Sequence, residues 1–339
     1  MGLPEKEYHA YPAWSYSLIA KYAKDGFGSI ATLHEPTIPT PSMEFGSLVD
    51  TIMTKSRKEF DDEYVIDETG ATCPPAEREV FDKLLSMGVG GSCFDDINHG
   101  FIFDAISRCD TFCSKYKKDD TRLAKLCENK DYYDLRRTGK KVVSKTDFED
   151  ALEMARVLWT SYNTHNIFRK GENDGVEYIY QAQFVESVML NSEREVNVKI
   201  MPDLLIVDHN NMTVQPVDLK TSSVPGWQFK DNFIKFRYDL QAELYTDIIN
   251  LVLDKDPDYR QYDILPYIFA DISRSDKVPV TYVYDPKDGF SFTRDGKEYK
   301  YKGWMELLDE ILDYEERQSK VPSYISLEEP NDLISLLSK

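Results

Sequence analysis

The feature that most constrains this chain is a pair of apolar, β-type runs, each interrupted by an acid. Met201-Pro202-Asp203-Leu204-Leu205-Ile206-Val207 is followed, after the polar stretch Asp208-His209-Asn210-Asn211, by Val217-Asp218-Leu219-Lys220-Thr221. Val, Ile and Leu around a turn-type tetrapeptide predict a hairpin, residues 198–207 against residues 213–220. An even turn would pair Val207 with Met212 and set Asp203 opposite Pro216. Side chains alternate along a strand, so Asp203, Asp218 and Lys220 would then share one face. An odd loop, or a bulge at Pro216, would alter that register. Two acids and a lysine on a hairpin, with only a bare Asp-x-Lys to mark them, are most often surface residues. Here the acids sit inside apolar runs, where a buried carboxylate needs a partner.

Asp203 and Asp218 are hard oxygen donors of the kind Mg²⁺ or Mn²⁺ prefers, and the Leu219 backbone carbonyl between Asp218 and Lys220 is a further candidate ligand. Lys220 is placed to orient or deprotonate a water. Phosphodiester hydrolysis asks for such a set: a cation on the phosphate, an activated water and a stabilised developing charge, against a barrier reduction of about 20 kcal/mol. The stretch after the hairpin, residues 227–253, reads as helical, and Gln241 and Tyr245, four apart, share a face of it. Such a pair is weak evidence alone and informative behind an Asp-x-Lys strand.

Bulk properties narrow the class. A chain of 339 residues with 41% hydrophobic and 13% aromatic content can bury a large core. Without eighteen consecutive apolar residues it is expected to have no membrane partner, and without a signal-like start it is expected to be cytoplasmic. A net charge of −19 argues against coating nucleic acid through bulk electrostatics and leaves room for a local basic surface. Such a surface is offered by residues 115–145, where eleven Lys or Arg face five acids and Tyr116, Tyr132 and Tyr133 are interleaved. A phosphate-contacting surface and a solvated helix face are equal readings of that segment. Cys73, Cys93, Cys109, Cys113 and Cys127 are odd in number and lack tight CxxC pairs, so reduced structural thiols are expected.

Along the chain, helices are predicted over 12–23 and 43–53, the latter placing Gly46 and Asp50 on one face. Residues 60–175 look polar and mostly helical, with Thr146 a capping-box candidate for the helix reaching Trp159. Strands follow over 178–190, 196–207, 213–220, 267–271 and 278–284, then a helix over 304–316 and a polar, mobile end. The organisation expected is N-terminal helices to residue 55, a helical insert over 56–175, a core over 176–290 and a C-terminal helix and tail over 291–339. The fold class is α/β, a mixed central sheet flanked by helices with an N-terminal helical elaboration.

Asp203, then Asp218-x-Lys220, then Gln241-x-x-x-Tyr245, together with Pro202-Asp203, resembles the PD-(D/E)xK nuclease superfamily, and within it the RecE-type and phage recombination exonucleases. Phe45-Gly46-Ser47-Leu48-Val49-Asp50, Glu59-Phe60-Asp61-Asp62-Glu63-Tyr64-Val65-Ile66, Gly139-Lys140-Lys141-Val142-Val143-Ser144-Lys145 and Arg237-Tyr238-Asp239-Leu240-Gln241 extend the likeness, which spans roughly residues 14–285. The resemblance implies a restriction-endonuclease-like fold and a Mg²⁺-dependent exonuclease acting at duplex DNA ends in recombination or repair. It assigns metal binding to Asp203, Asp218 and Asp50, and the water to Lys220. Glu186 would be the acid on the preceding strand, with Gln183 competing for that place, and Gln241 and Tyr245 would position the site. DNA contacts would come from Arg136, Arg137, Lys140, Lys141 and Arg237. Asp50 stands where these nucleases carry a histidine. Cluster-bearing relatives place cysteines after the glutamine helix, where this chain has none, so no iron–sulfur centre is expected. A homo-oligomer and a single-strand annealing protein are partners implied by resemblance. The alternatives are a non-catalytic DNA- or protein-binding module on the same fold and a structure-specific endonuclease.

Overall fold

In a computed structural model, residues 5–35, 39–68, 73–169, 171–294 and 297–319 are described. The polar C-terminal end, with its expected mobility, lies outside them. The chain forms two compact units, Met1–Gly46 with Arg156–Lys339, and Ser47–Ala155. The expected boundaries at 55 and 175 therefore move, because composition changes where secondary structure changes while the units follow packing.

The first unit is mixed α/β. Its seven-stranded sheet runs, in spatial order, Pro279–Tyr284, Tyr267–Ser273, Thr213–Ser222, Leu204–Asp208, Val176–Tyr180 and Gly171–Asn173, with the short Asp263–Ile264 also paired to Thr213–Ser222. Thr213–Ser222 and Tyr267–Ser273 run parallel, so their connection must cross over, and the helices Phe229–Phe236 and Tyr238–Lys255 make that crossover. Leu240, Leu244 and Ile248 of the second helix join Leu205, Val207, Val214 and Tyr267 of the sheet in one buried cluster. Trp304, Leu308 and Ile311 of the helix Trp304–Ser319 complete it.

The long β runs break where the backbone cannot continue. The run predicted over 178–190 splits at Gln181, whose φ is 50°, into Val176–Tyr180 and Phe184–Met189. The run over 196–207 splits at Met201-Pro202-Asp203, where proline supplies no ladder N–H, into Glu195–Ile200 and Leu204–Asp208. After these breaks Phe184–Met189 and Glu195–Ile200 leave the central sheet and pair with each other. The helix expected over 227–253 is likewise divided by Arg237, in the left-handed region at φ 56°. The helix expected over 12–23 starts at Tyr16, after a short helix Glu5–Ala10, because Trp14 is held in a bridge to Val198, donating to the Asn197 carbonyl at 2.9 Å.

The unit Ser47–Ala155 is helical around Phe81, Leu84, Ile102, Ile106, Phe112, Leu126 and Tyr133, with one parallel strand pair, Tyr64–Asp67 and Lys141–Ser144. Its helix Lys145–Thr160 is capped by Ser144, whose Oγ accepts from the Asp147 N–H at 3.0 Å; Thr146 already lies inside the first turn. All five cysteines are free, and burial pushes the Cys73 thiol up to about 12 and Cys109 up to about 11. Such buried thiols are inert rather than reactive. Among the described residues no helix is long and apolar enough to cross a membrane.

Candidate active site

The hairpin forms with an unbroken register, Leu204 opposite Val217 and Asp208 opposite Thr213. This is two residues from the expected pairing, so Leu205 rather than Asp203 faces Pro216. The cause lies in the turn. Asp208 Oδ1 accepts the N–H groups of Asn210 (2.9 Å) and Asn211 (3.1 Å), and Met212 takes a positive φ of 51°. Met212 is thereby spent in the loop instead of pairing with Val207. An offset of two preserves the face of every side chain, so the expected clustering survives. Pro216 causes no bulge, since the strand beside it is itself interrupted between Ile264 and Tyr267.

Asp218 is 2% exposed, in the middle of the sheet. The Gln241 side chain spans it and Lys220: Nε2 donates to Asp218 Oδ1 at 2.5 Å, and Oε1 accepts from Lys220 Nζ at 3.0 Å. Lys220 Nζ also forms an ion pair with Asp218 Oδ2. One amide thus holds both ends of the Asp-x-Lys pair, with its oxygen and nitrogen assigned by those partners. Asp203 sits just before its strand, and its Oδ2 accepts the Leu219 N–H at 2.7 Å. It is therefore the Leu219 N–H that ties the two acidic positions together in this arrangement.

Burial pushes the Lys220 pKa down, but the charges of Asp218, Tyr238 and Asp203 outweigh it and hold the ammonium above its ordinary range. Tyr245 is buried one helical turn after Gln241, and burial, reinforced by the Asp218 and Asp203 carboxylates, drives its phenol well above its ordinary value. It is a neutral, buried wall of the site. Gly46, on the helix Pro41–Thr54, approaches the far end of the lysine strand, where a Cβ would come within 2.9 Å of Thr221 Oγ1. Asp50 follows on the same helix and belongs to the other unit.

Several expected members are elsewhere. Glu186 lies on the separate strand pair, and its carboxylate is taken by Lys255 at the far end of the glutamine helix. Lys255 is fourteen residues beyond Gln241, roughly 21 Å along the axis, so Glu186 is not part of this cluster. The break at Gln181 separates its strand from the central sheet. Gln183, its competitor, donates to Met201 Sδ at 3.8 Å. Arg237 is 8% exposed and structural: it forks onto Asp239 (2.9 Å), reaches the Lys302 carbonyl (2.7 Å) and stacks over Tyr301. The basic residues of the helical unit are paired within it, Arg136 with Asp82, Arg137 with Asp134, Lys141 with Glu63, and Lys140 on the Asp61 carbonyl. An open phosphate surface from these four is not what forms, because Asp134 one helical turn back engages Arg137, and neighbouring elements supply the partners of the other three.

Two members were missed. Tyr238 lies under Lys220, with Nζ 4.5 Å from its ring centre, and stacks on Phe269. The aromatic pair 236 and 238 beside the glutamine was the available signal. Asp271 is in register with Lys220 on the neighbouring strand and buried, with no hydrogen bond of regular geometry to either oxygen. Burial pushes its carboxyl up to about 7, against the pull of Ser222 and Lys220. An acid inside the apolar run Tyr267–Ser273 was its signal.

Among the described residues no three His, Cys, Asp or Glu side chains converge as a metal site. Asp203 and Asp218 provide two hard donors at one place. That fits Mg²⁺, which is commonly held by one or two carboxylates and completes its shell with water and phosphate oxygens.

No family model matches the chain, and no curated protein matches it. Among solved structures it is similar to the crystal structure of SSO0001, at 9% identity over 80% of this chain and 84% of that one, with a TM-score of 0.27. A likeness of that size carries no argument about fold or function.

Proposed function

We propose that this chain is a Mg²⁺-dependent deoxyribonuclease of the PD-(D/E)xK type with a restriction-endonuclease-like core, acting as an exonuclease at duplex DNA ends. The observation that carries this reading is the closed set Asp218–Gln241–Lys220, with Asp203 anchored to the same strand through the Leu219 N–H. Asp203 and Asp218 would hold the cation. When bound, it would offset phosphate charge and lower the pKa of a coordinated water. Gln241 fixes the Asp218 carboxylate and the Lys220 ammonium in one orientation, so neither must reorganise during reaction. Lys220 would orient the attacking water and face the charge developing on phosphate oxygen. Tyr245 and Tyr238 exclude water from the back of the site. Recombination or repair, a ring-forming oligomer and an annealing partner are proposed from resemblance alone.

The competing reading, a binding module without catalysis, is favoured by one observation: with Glu186 held by Lys255, the cluster contains two first-rank carboxylates rather than three. Substitution separates the two. Asp218→Ala or Lys220→Ala should abolish Mg²⁺-dependent DNA cleavage while circular dichroism stays native. Undiminished cleavage by either variant would sink the nuclease assignment.

A further inference from the structure

The segment that leaves the lysine strand and returns to it, residues 226–236, presents an outer face the site described above does not use. Its inner face is committed: Phe229 stacks on Tyr282 with ring centres 4.4 Å apart, and Phe233 meets Phe269 and Tyr284. Outside, Trp227 is 74% exposed and Ile234 47%. Trp227, Lys230 and Ile234 follow one another at three- and four-residue steps, which brings them to one side. Lys230 and Lys235 are exposed, and neither makes an ion pair among the described residues. Lys235 Nζ instead lies 5.1 Å from the Phe236 ring centre. Asp231 is the one acid of this short helix.

Both ends of the segment come back to Lys220. At the start, Gly226 abuts Asp271, the register neighbour of Lys220, and a Cβ there would meet Val280 at 2.8 Å and Asp271 Oδ2 at 3.7 Å. At the end, the Phe236 ring stacks on Tyr238 at 5.7 Å, and Tyr238 is the ring beneath the Lys220 ammonium. The Phe236 carbonyl is pinned by the Tyr16 hydroxyl at 2.7 Å, so the exposed ring is mounted on fixed backbone.

We propose that this face is a stacking platform for single-stranded nucleic acid, with a base on Trp227 and backbone phosphates at Lys230 and Lys235. The proposal rests on the nuclease reading for the placement of a strand at Lys220. An exposed tryptophan beside unpaired lysines fits a polyanion that has π-faces to offer. An apolar protein partner would leave both lysines unanswered. In a chain of net charge −19, cations kept free of acids beside the candidate site mark where a phosphate chain can approach.

The test uses the full-length protein in EDTA, so that no cleavage can intervene, titrated into an end-labelled oligothymidylate of about a dozen nucleotides, with affinity read by the label's anisotropy and stacking by tryptophan fluorescence. Wild-type protein should bind with quenching. Trp227→Ala should lose that quench and bind about tenfold more weakly or worse, while Trp227→Phe keeps most of the affinity. Lys230→Glu with Lys235→Glu should reduce the slope of log affinity against log salt by about one to two. All three positions are solvent-exposed, and unchanged thermal melts confirm that the variants fold. Equal affinity of Trp227→Ala and wild type overturns the platform. So does a Trp227→Ala variant that loses self-association in sedimentation while its oligonucleotide affinity is unchanged, since the face then belongs to a second copy. DNA cleavage with Trp227-independent binding fails the platform alone. Trp227-dependent binding without cleavage fails the nuclease reading alone.

Discussion

The hairpin cluster and the basic segment 115–145 are both dense in charge, and they differ in where each charge finds its counterpart. In the hairpin, Asp218, Lys220 and Gln241 come from a strand and a helix separated in sequence and meet at a buried point, 2% exposed at Asp218. In the basic segment, Arg122 pairs with Asp119, Lys125 with Glu128 and Arg137 with Asp134 within one helical turn, and Arg136 with Asp82 and Lys141 with Glu63 across elements, all at the surface. Surface pairs of this kind contribute about 0–1 kcal/mol each and are screened by salt. Buried groups are instead costly to leave half-partnered, so their geometry is strongly specified. Burial of the converging charges, more than their local density, marks a site.

That contrast can be broken at several strengths. The largest expected effect is on metal binding: Asp203→Asn with Asp218→Asn should weaken Mn²⁺ binding by about a hundredfold or more in calorimetry, because both proposed ligands lose their charge. Affinity equal to wild type would place the metal elsewhere.

Next comes Asp271. Its folded-state pKa, about 7, lies above the ordinary carboxylate value of 3.8, so the folded protein holds this proton more tightly than the unfolded one. Stability from this group is therefore full at low pH, falls as pH rises from about 4 through 7, and is flat above. Asp271→Asn should accordingly stabilise the protein by a few kcal/mol at pH 8, at most about 4, and leave it nearly unchanged near pH 4. Denaturant melts at the two pH values check this, and a variant less stable at pH 8 would show that the carboxylate has a favourable partner.

Gln241→Ala removes the amide that holds both Asp218 and Lys220, and should cost about 1–3 kcal/mol in stability and about ten- to a hundredfold in cleavage rate. A rate within twofold of wild type would mean that the bridge is incidental.

The smallest effect is expected where charge is densest. Lys140→Glu with Lys141→Glu should change stability by about 1 kcal/mol or less and DNA affinity by less than about threefold, since both side chains are already engaged at the surface. A steep loss of affinity with a flattened salt dependence would restore the segment as a DNA surface.

Much of this was legible in the sequence because it depends on short-range pattern. The hairpin, the shared face of Asp203, Asp218 and Lys220, and the helical spacing of Gln241 and Tyr245 follow from periods of 2 and 3.6. The register slipped by two because the Asp208 side chain captured the turn's N–H groups, which hydrophobic pattern does not encode. Glu186 was misplaced for a related reason: its strand is cut off at Gln181, whose positive φ no apolar pattern announces, and then finds a different partner. Arg237 looked like a phosphate contact until its left-handed backbone set it against Asp239. Tyr238 and Asp271 enter the site through packing and cross-strand register with residues far along the chain, and no local period announces either.

The most direct measurement is digestion of linear and circular duplex DNA by the purified wild-type chain with Mg²⁺ or Mn²⁺, against an EDTA control. Metal-dependent loss of linear DNA with circles left intact is the expected result. Persistence of both forms with either metal, by protein that still binds DNA, would contradict catalysis at Asp203, Asp218 and Lys220.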